Sequence, residues 1–423
     1  MKKSAKILSL ILAAALLVGG LSSCFMVNGG EFISREELEE LLDGRLDGNV
    51  TVEGGDEYHV NIDGVADGDT VAAGKAVLSA VSVYANFESR YSSGFGSNMG
   101  GTRKYSSAGA GVIYSLDKNE GDAYVITNYH VVYDYRANTS DHISNDISLY
   151  LYGQESAEYA IPATYVGGSM NYDLALLKVD GSRILAESSA MAVTLADSED
   201  VAVLDTAIAI GNPESKGISA TLGHVNVDSE YLTMLGADNV TEVSMRVMRI
   251  DTAVNSGNSG GGLFNSKGEL IGIVNAKMAD TTVDNIGYAI PSNVVKYVAE
   301  NIIYHCADGS TKLLTKCMLG IVVGVSRSYV EYDTEDGRVH KREEVVVDSV
   351  SEGALAYGVL ESGDIIKSIK IGDESFNVTR KHIIVESMLN ARVGETVSVT
   401  VIRGGTELTV DILITAESAS NPK

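Results

Sequence analysis

Asp251-Thr-Ala-Val-Asn-Ser-Gly-Asn-Ser-Gly-Gly-Gly-Leu263 decides the reading of this chain. Glycines on both sides of Ser259 leave its hydroxyl uncovered. They also let backbone N–H groups converge where a substrate carbonyl oxygen would become negative. A flexible Gly/Ser linker has a similar composition, but apolar, strand-like runs flank this segment at Ser244 to Ile250 and Leu270 to Val274, which a mere tether does not need.

Outward from this segment, further apolar runs recur between glycine and Asn/Asp breaks from Ala76 to Pro291. They are Ala110 to Tyr114, Ala123 to Thr127, Ile147 to Leu151, Leu174 to Val179 and Ala207 to Ile210. Short strands at this spacing with few helical stretches predict an antiparallel sandwich or a pair of barrels.

Two of these strands border residues able to work with a serine. In Val125-Ile-Thr-Asn-Tyr-His130-Val-Val a histidine follows a strand; such a residue is either a satisfied core histidine or a proton carrier. In Asn171-Tyr-Asp173-Leu-Ala-Leu-Leu-Lys178-Val an acid leads into a strongly apolar strand. Buried, Asp173 needs a donor such as an imidazole N–H; exposed, it is a simple strand cap.

The whole sequence has 423 residues, 45% hydrophobic and 21% charged. It is therefore globular rather than disordered, with length for two to three domains of roughly 150 residues. Asp plus Glu number 57 against 32 Lys plus Arg, a formal charge of −25, which argues against nucleic acid or anionic lipid as the main partner. Three cysteines cannot staple a fold this size, so core burial must hold it.

The five segments Thr127-Asn-Tyr-His130-Val-Val, Asp173-Leu-Ala-Leu-Leu-Lys178-Val, Ala209-Ile-Gly-Asn-Pro213, Gly257-Asn-Ser-Gly-Gly261 and Ile286-Gly-Tyr-Ala-Ile-Pro-Ser292 together resemble the HtrA (Deg) family of trypsin-like serine proteases, in that family's order. The resemblance implies a mainly β fold, a trypsin-like double antiparallel β-barrel over 76–295, with His130, Asp173 and Ser259 as catalytic triad between the barrels. Gly257, Asn258 and Ser259 would form the oxyanion hole, with Asn258 shaping the turn. Ala253 would lie at the floor of the pocket for the residue before the scissile bond; without a carboxylate there, a small or medium aliphatic residue suits it better than Arg or Lys. Ser256 and Gly262 stand where the family usually has proline, which loosens the loop and raises the expectation of an oxyanion hole incompletely formed at rest. Glu214-Ser215 also departs from the family's aromatic and glycine after Asn-Pro.

Residues 1–23 carry Lys2, Lys3 and Lys6 ahead of an apolar run, then Leu21-Ser-Ser-Cys24. This is a signal-peptide pattern. Its ending resembles a bacterial lipobox, implying lipidation at Cys24 and an extracytoplasmic chain held at a bacterial membrane; an ordinary secretory signal with a chance cysteine is the alternative. Residues 24–75 read as a tether with one short helix, Ser34 to Leu42, opened by a capping-box spacing of Ser34 and Glu37. Ser89 to Ser107 reads as a Gly/Ser/Tyr-rich loop.

A helix with Ser292 as a possible cap closes the protease, and 296–315 links it to a second unit. Residues 316–415 resemble a PDZ domain, a small α+β barrel, through Met318-Leu-Gly-Ile-Val-Val-Gly324, Gly363-Asp-Ile-Ile366 and Arg403-Gly-Gly405. Such a module adds a peptide to a sheet edge, with Leu319, Gly320 and Ile321 at the terminal carboxylate and Ile384 and Met388 either lining the groove or packed in the core. Cys306 and Cys317 flank the linker as a disulfide or as buried thiols. No cofactor or metal is implied, because a Ser/His/Asp site needs none and no ligand-spaced His/Cys cluster is present.

The expected function is an extracytoplasmic serine endopeptidase of protein quality control acting on unfolded or damaged polypeptides. C-terminal peptides would dock at the PDZ groove, a lipid anchor would give the membrane contact, and no nucleic acid would take part. The family implies a homotrimer or larger. A catalytically weak PDZ chaperone or scaffold is the competing class; an esterase would want a Gly-x-Ser-x-Gly elbow that this chain lacks.

Overall fold

The computed structural model describes residues 68–92, 100–278, 286–332, 334 and 337–420, with the backbone of four short strands before residue 64. Those strands form two antiparallel hairpins, Phe25–Val27 with Glu31–Ile33 and Asn49–Gly54 with Tyr58–Asp63, in a unit separate from Ala72–Lys423. Cys24 and the Ser34 to Leu42 helix lie outside the described residues. No described helix is long and apolar enough to cross a membrane.

After helix α1 (Asp69–Val77) come β1 (Ala80–Ser92), β2 (Gly100–Asp117), β3 (Asp122–Thr127), helix α2 (Tyr129–Val132), β4 (Asp146–Leu151), β5 (Ile161–Ser169) and β6 (Leu174–Val179). They close a barrel in the order β6-β3-β2-β1-β4-β5, every neighbour antiparallel. Ser89 to Ser107 is a correction to the expected loop: Ser89 pairs with Arg103 and Ala85 with Ser107, so both ends extend a long hairpin. Serine, tyrosine and glycine tolerate an exposed ribbon once the register is fixed further down, where the pairing continues to Ala80 and Val112.

The second barrel, β7 (Thr206–Gly211), β8 (Ser219–Leu235), β9 (Glu242–Ile250), β10 (Gly262–Phe264), β11 (Leu270–Val274) and β12 (Gly287–Pro291), closes in the order β7-β8-β9-β12-β11-β10. Helix α3 (Ser292–Cys306) then packs Val294, Val295, Val298 and Ile302, all 2% exposed or less, into a core continuous through both barrels. Ser292 is not its cap. It is the first helical residue, and its hydroxyl donates to Ala196 O at 2.7 Å.

The C-terminal unit has its own core. Strands β13 (Ile321–Tyr332), β14 (Val339–Val350), β15 (Ile365–Ile371), β17 (Thr396–Arg403) and β18 (Thr406–Leu413) form a sheet in that order, with β16 (Glu374–Asn377) on β15 and helix α4 (Lys381–Ser387) beside them. Pairing of Lys316–Cys317 with Ala419–Ser420 carries the unit past residue 415 to Ser420. Cys306 and Cys317 are free thiols, not a bridge: each is buried, with Leu313 O and Ala391 O respectively as hydrogen-bond acceptors. Burial pushes the Cys306 thiol up to about 11.

This unit meets the second barrel through charge. Arg246 of β9, 5% exposed, donates two bonds to Glu386 of α4 at 2.6 and 2.7 Å and lies 3.1 Å from Glu199. His382 Nε2 is 2.9 Å from Glu199, and Arg380 pairs with Asp228. Burial alone would raise the Glu199 carboxyl; the His382 hydrogen bond and the Arg246 charge reverse this, to about 2.

Candidate active site

His130 sits on α2, one turn fixed by the buried Val131 and Val132 directly after β3. Asp173 lies one residue before β6, which pairs with β3, so the register brings Ala175 opposite Thr127 and the acid beside the histidine. Asp173 is 6% exposed and adopts φ +48, which aspartate tolerates better than most residues. Its carbonyl accepts from Tyr129 N (3.1 Å) and Asn128 Nδ2 (2.9 Å). Its carboxylate accepts from His130 N (3.0 Å) and lies 2.6 Å from His130 Nδ1. The buried acid has the imidazole partner it requires and is no exposed strand cap.

A third donor was not legible in the sequence: Asn275 Nδ2, fully buried at the end of β11, bonds Asp173 Oδ2 at 2.7 Å. Asn275 follows a strand with no motif of its own, and only the closure of the second barrel against the first reveals its aim.

Ser259 lies where the two barrels touch. Its carbonyl accepts from Ala110 N of β2 at 2.8 Å, while Gly260 N donates to Val274 O of β11 at 3.0 Å. Gly260 has φ +84, and a Cβ there would stand 2.2 Å from Ala110 O and 2.3 Å from Thr127 Oγ1, so only glycine lets the serine backbone press against the strand that leads to His130. Ser259 Oγ accepts from Ala276 N at 3.3 Å. No hydrogen bond joins Ser259 to His130 among the described residues, a looseness common in catalytic sites without substrate.

The turn before Ser259 is closed. Asn258 N donates to Asn255 O at 3.0 Å, and Gly257 at φ +99 takes the left-handed third position of a type II turn. Gly257 O accepts from Asn212 N at 3.2 Å. Neither the Gly257 nor the Ser259 N–H donates to a protein group among the described residues, so both are unspent. At Gly262 a Cβ would meet the Phe264 ring at 2.3 Å, which excludes a larger residue. Ala253 is exposed rather than the floor of an enclosed pocket; residues 279–285, downstream of Asn275, lie outside the described residues.

In the C-terminal unit, Leu319 is buried and Gly320 and Ile321 half-buried at the start of β13. The carbonyls of Leu319 and Gly320 accept from Ala356 and Ser351. Ile384 and Met388 are core residues, each 4% exposed, and the groove-lining alternative is corrected. A helix that must cover its own sheet turns these positions inward and leaves Val385 outside, 37% exposed. Glu199, His382 and Glu386 bring ligand-type atoms within 4.8 Å of one another, but the guanidinium of Arg246 already supplies the cation of that cluster.

Comparisons with known proteins identify the family. The trypsin-like peptidase domain family matches residues 109–273. The serine protease Do-like HtrA of Lactococcus lactis subsp. cremoris is 31% identical over 357 residues, covering 79% of this chain and 78% of its own. The chain belongs to the HtrA/DegP family of trypsin-like serine proteases. The Bacillus subtilis HtrA is 30% identical over 76% of this chain and 67% of its own, and the periplasmic serine endoprotease DegP of Salmonella typhimurium 32% identical over 77% and 61%. The solved HtrA-type protease AlgW with tripeptide shares the fold at a TM-score of 0.51 and 23% identity, over 84% of this chain and 98% of that one. This HtrA-family chain is a serine endopeptidase.

Proposed function

We propose that this HtrA-family enzyme cleaves unfolded or damaged polypeptides outside the cytoplasm through Ser259, His130 and Asp173. The observation that carries the reading is the 2.6 Å contact of His130 Nδ1 with an Asp173 carboxylate already held by Asn275. With Nδ1 so engaged, Nε2 is left to act as base. Ser259 Oγ attacks the scissile carbonyl and gives its proton to His130, which passes it to the leaving amine; Asp173 fixes the tautomer and stabilises the imidazolium. The unspent Gly257 and Ser259 N–H groups receive the oxyanion, each such donor contributing a factor of about 10² to 10³. Water, activated by the same histidine, then releases the acyl group from Ser259.

The C-terminal unit works as a PDZ domain. Its β13 stands at an open sheet edge, with Val322 and Val325 exposed, and an extended C-terminal peptide adds there as a strand with its carboxylate near Leu319 to Ile321. The N-terminal signal pattern supports lipidation at Cys24 and a station at the cell envelope, and the family likeness supports assembly as a homotrimer or larger.

Degradation of reduced casein by the full chain, beside a Ser259→Ala control and with or without an apolar C-terminal peptide, tests the reading. Cleavage lost in the control is expected, with a rise on peptide addition. Equal inertness of wild type and control under every condition would favour a scaffold instead.

A further inference from the structure

The turn that carries Gly257 is tied to the first barrel by a relay of hydrogen bonds that begins at a tyrosine. Along β1 the side chains alternate, with Val83 and Ala85 fully buried in the barrel core and Tyr84 turned outward and half-buried. The Tyr84 ring stands edge-on to Tyr150 of β4, centroids 5.5 Å apart. Its hydroxyl accepts from Asn212 Nδ2 at 3.2 Å and donates to Ser215 O at 3.4 Å. Both partners lie in the turn that follows β7 of the second barrel.

Asn212 is fully buried, and all its polar groups are engaged. Oδ1 accepts from Gly217 N at 2.9 Å, the carbonyl accepts from Ser215 N at 3.2 Å, and the backbone N–H donates to Gly257 O at 3.2 Å. The side chain closes the turn on itself while the backbone holds the residue whose N–H is to receive the oxyanion. Ser215 adopts φ +58, a left-handed conformation that a serine enters only at a cost. This is one of the two positions where the turn departs from the family, which has glycine there. A turn carrying such strain persists only when its surroundings over-determine it, and the Tyr84 hydroxyl bonds it at both Asn212 and Ser215.

We propose that Tyr84 is a positioning residue for the oxyanion hole. Its hydroxyl fixes the Asn212 amide, Asn212 fixes the Gly257 carbonyl, and the Gly257 N–H is thereby held where the negative oxygen develops. Oxyanion donors act by being in place before the charge appears. A displacement of about 1 Å at Gly257 therefore slows the chemical step more than it weakens substrate binding. Without the phenolic oxygen the buried Asn212 Nδ2 loses its acceptor, and an amide that turns to find another lets go of Gly217 and moves the turn that anchors Gly257. The inference rests on the reading of Ser259 as nucleophile and Gly257 as oxyanion donor.

The test uses the full chain, a peptide that it cleaves and the trifluoromethyl ketone of the same peptide, whose adduct with Ser259 puts a charged oxygen at the oxyanion donors. Tyr84→Phe should lower kcat by roughly five- to thirty-fold, less than the loss of a whole donor, with KM within about two-fold. The ketone's inhibition constant should rise in step with the fall in kcat/KM, and fluorine NMR should show the adduct's hemiketal hydroxyl titrating at a higher pH than in the wild type, since its anion has lost hydrogen bonding. Tyr150→Phe, which trims the neighbouring ring outside the relay, should change none of these. In an Asn212→Ala background, where the amide that transmits the effect is gone, Tyr84→Phe should cost less than about two-fold. An unchanged kcat in Tyr84→Phe, with or without a lower melting temperature, overturns the assignment, as does a loss residing in KM or one fully additive with Asn212→Ala. Failure of the catalytic reading would show separately, as peptide cleavage persisting in Ser259→Ala.

Discussion

The junction between the two barrels and the junction between the second barrel and the C-terminal unit are built from different materials. The first is backbone against backbone, with Ser259 O bonded to Ala110 N, Gly260 packed on Thr127, and one apolar core running through both barrels into α3. The second is centred on side-chain ions, Arg246, Glu386, Glu199 and His382, while Leu389 and Phe376 of the C-terminal unit also pack on the barrel core beside α3. Apolar interdigitation and main-chain bonds fix one arrangement. A buried ion cluster contributes little net stability but costs much when half of it is removed. His130, Asp173 and Ser259 are therefore held on the rigid junction, and the C-terminal unit meets the second barrel through the one that charge can undo.

The largest effect is expected at the rigid junction. Asp173→Asn should leave folding nearly intact while lowering kcat by about 10³ to 10⁴, because an amide cannot hold His130 in the tautomer the base requires. A loss below about ten-fold, measured with any cleaved peptide, would show that the 2.6 Å contact is structural.

Next in size is the ionic junction. Arg246→Ala strands Glu386 and Glu199 without their guanidinium and should destabilise the attachment of the C-terminal unit by about 3 to 5 kcal/mol in urea unfolding. An Arg246→Met, Glu386→Leu double variant should recover most of that. If the single variant costs under about 1 kcal/mol, the cluster is not what joins the unit.

The smallest effect is acid sensitivity confined to the second junction. The Glu199 carboxyl lies at about 2 in the fold against an ordinary 4.5. Its stabilisation is thus complete above about pH 4.5 and drains away as the pH falls toward about 2. Limited proteolysis across this range should release the C-terminal unit before the barrels are cut; simultaneous loss of both would remove the distinction.

Much of this was legible in the sequence for a physical reason. The strands Leu174–Val179 and Leu270–Val274 are apolar runs whose bounds the chain itself declares, and Ser259 is marked by the glycines its tight seat demands. The Ser89 to Ser107 hairpin was hidden because small and polar residues can sit in an exposed ribbon without a pattern. Asn275 was hidden because an amide becomes a partner for Asp173 only through a contact 102 residues away in sequence. Ile384 and Met388 carry helical spacing whether they face a groove or a core, and only the packing of α4 on its sheet decides for the core.

Everything at the rigid junction turns on Ser259 being a nucleophile activated by His130. The most direct test is covalent labelling of the folded chain with a fluorophosphonate, followed by peptide mass spectrometry. A single adduct on Ser259 is expected, formed at least about a hundred-fold more slowly in His130→Ala. Labelling spread over several serines, or equally fast without His130, would contradict it.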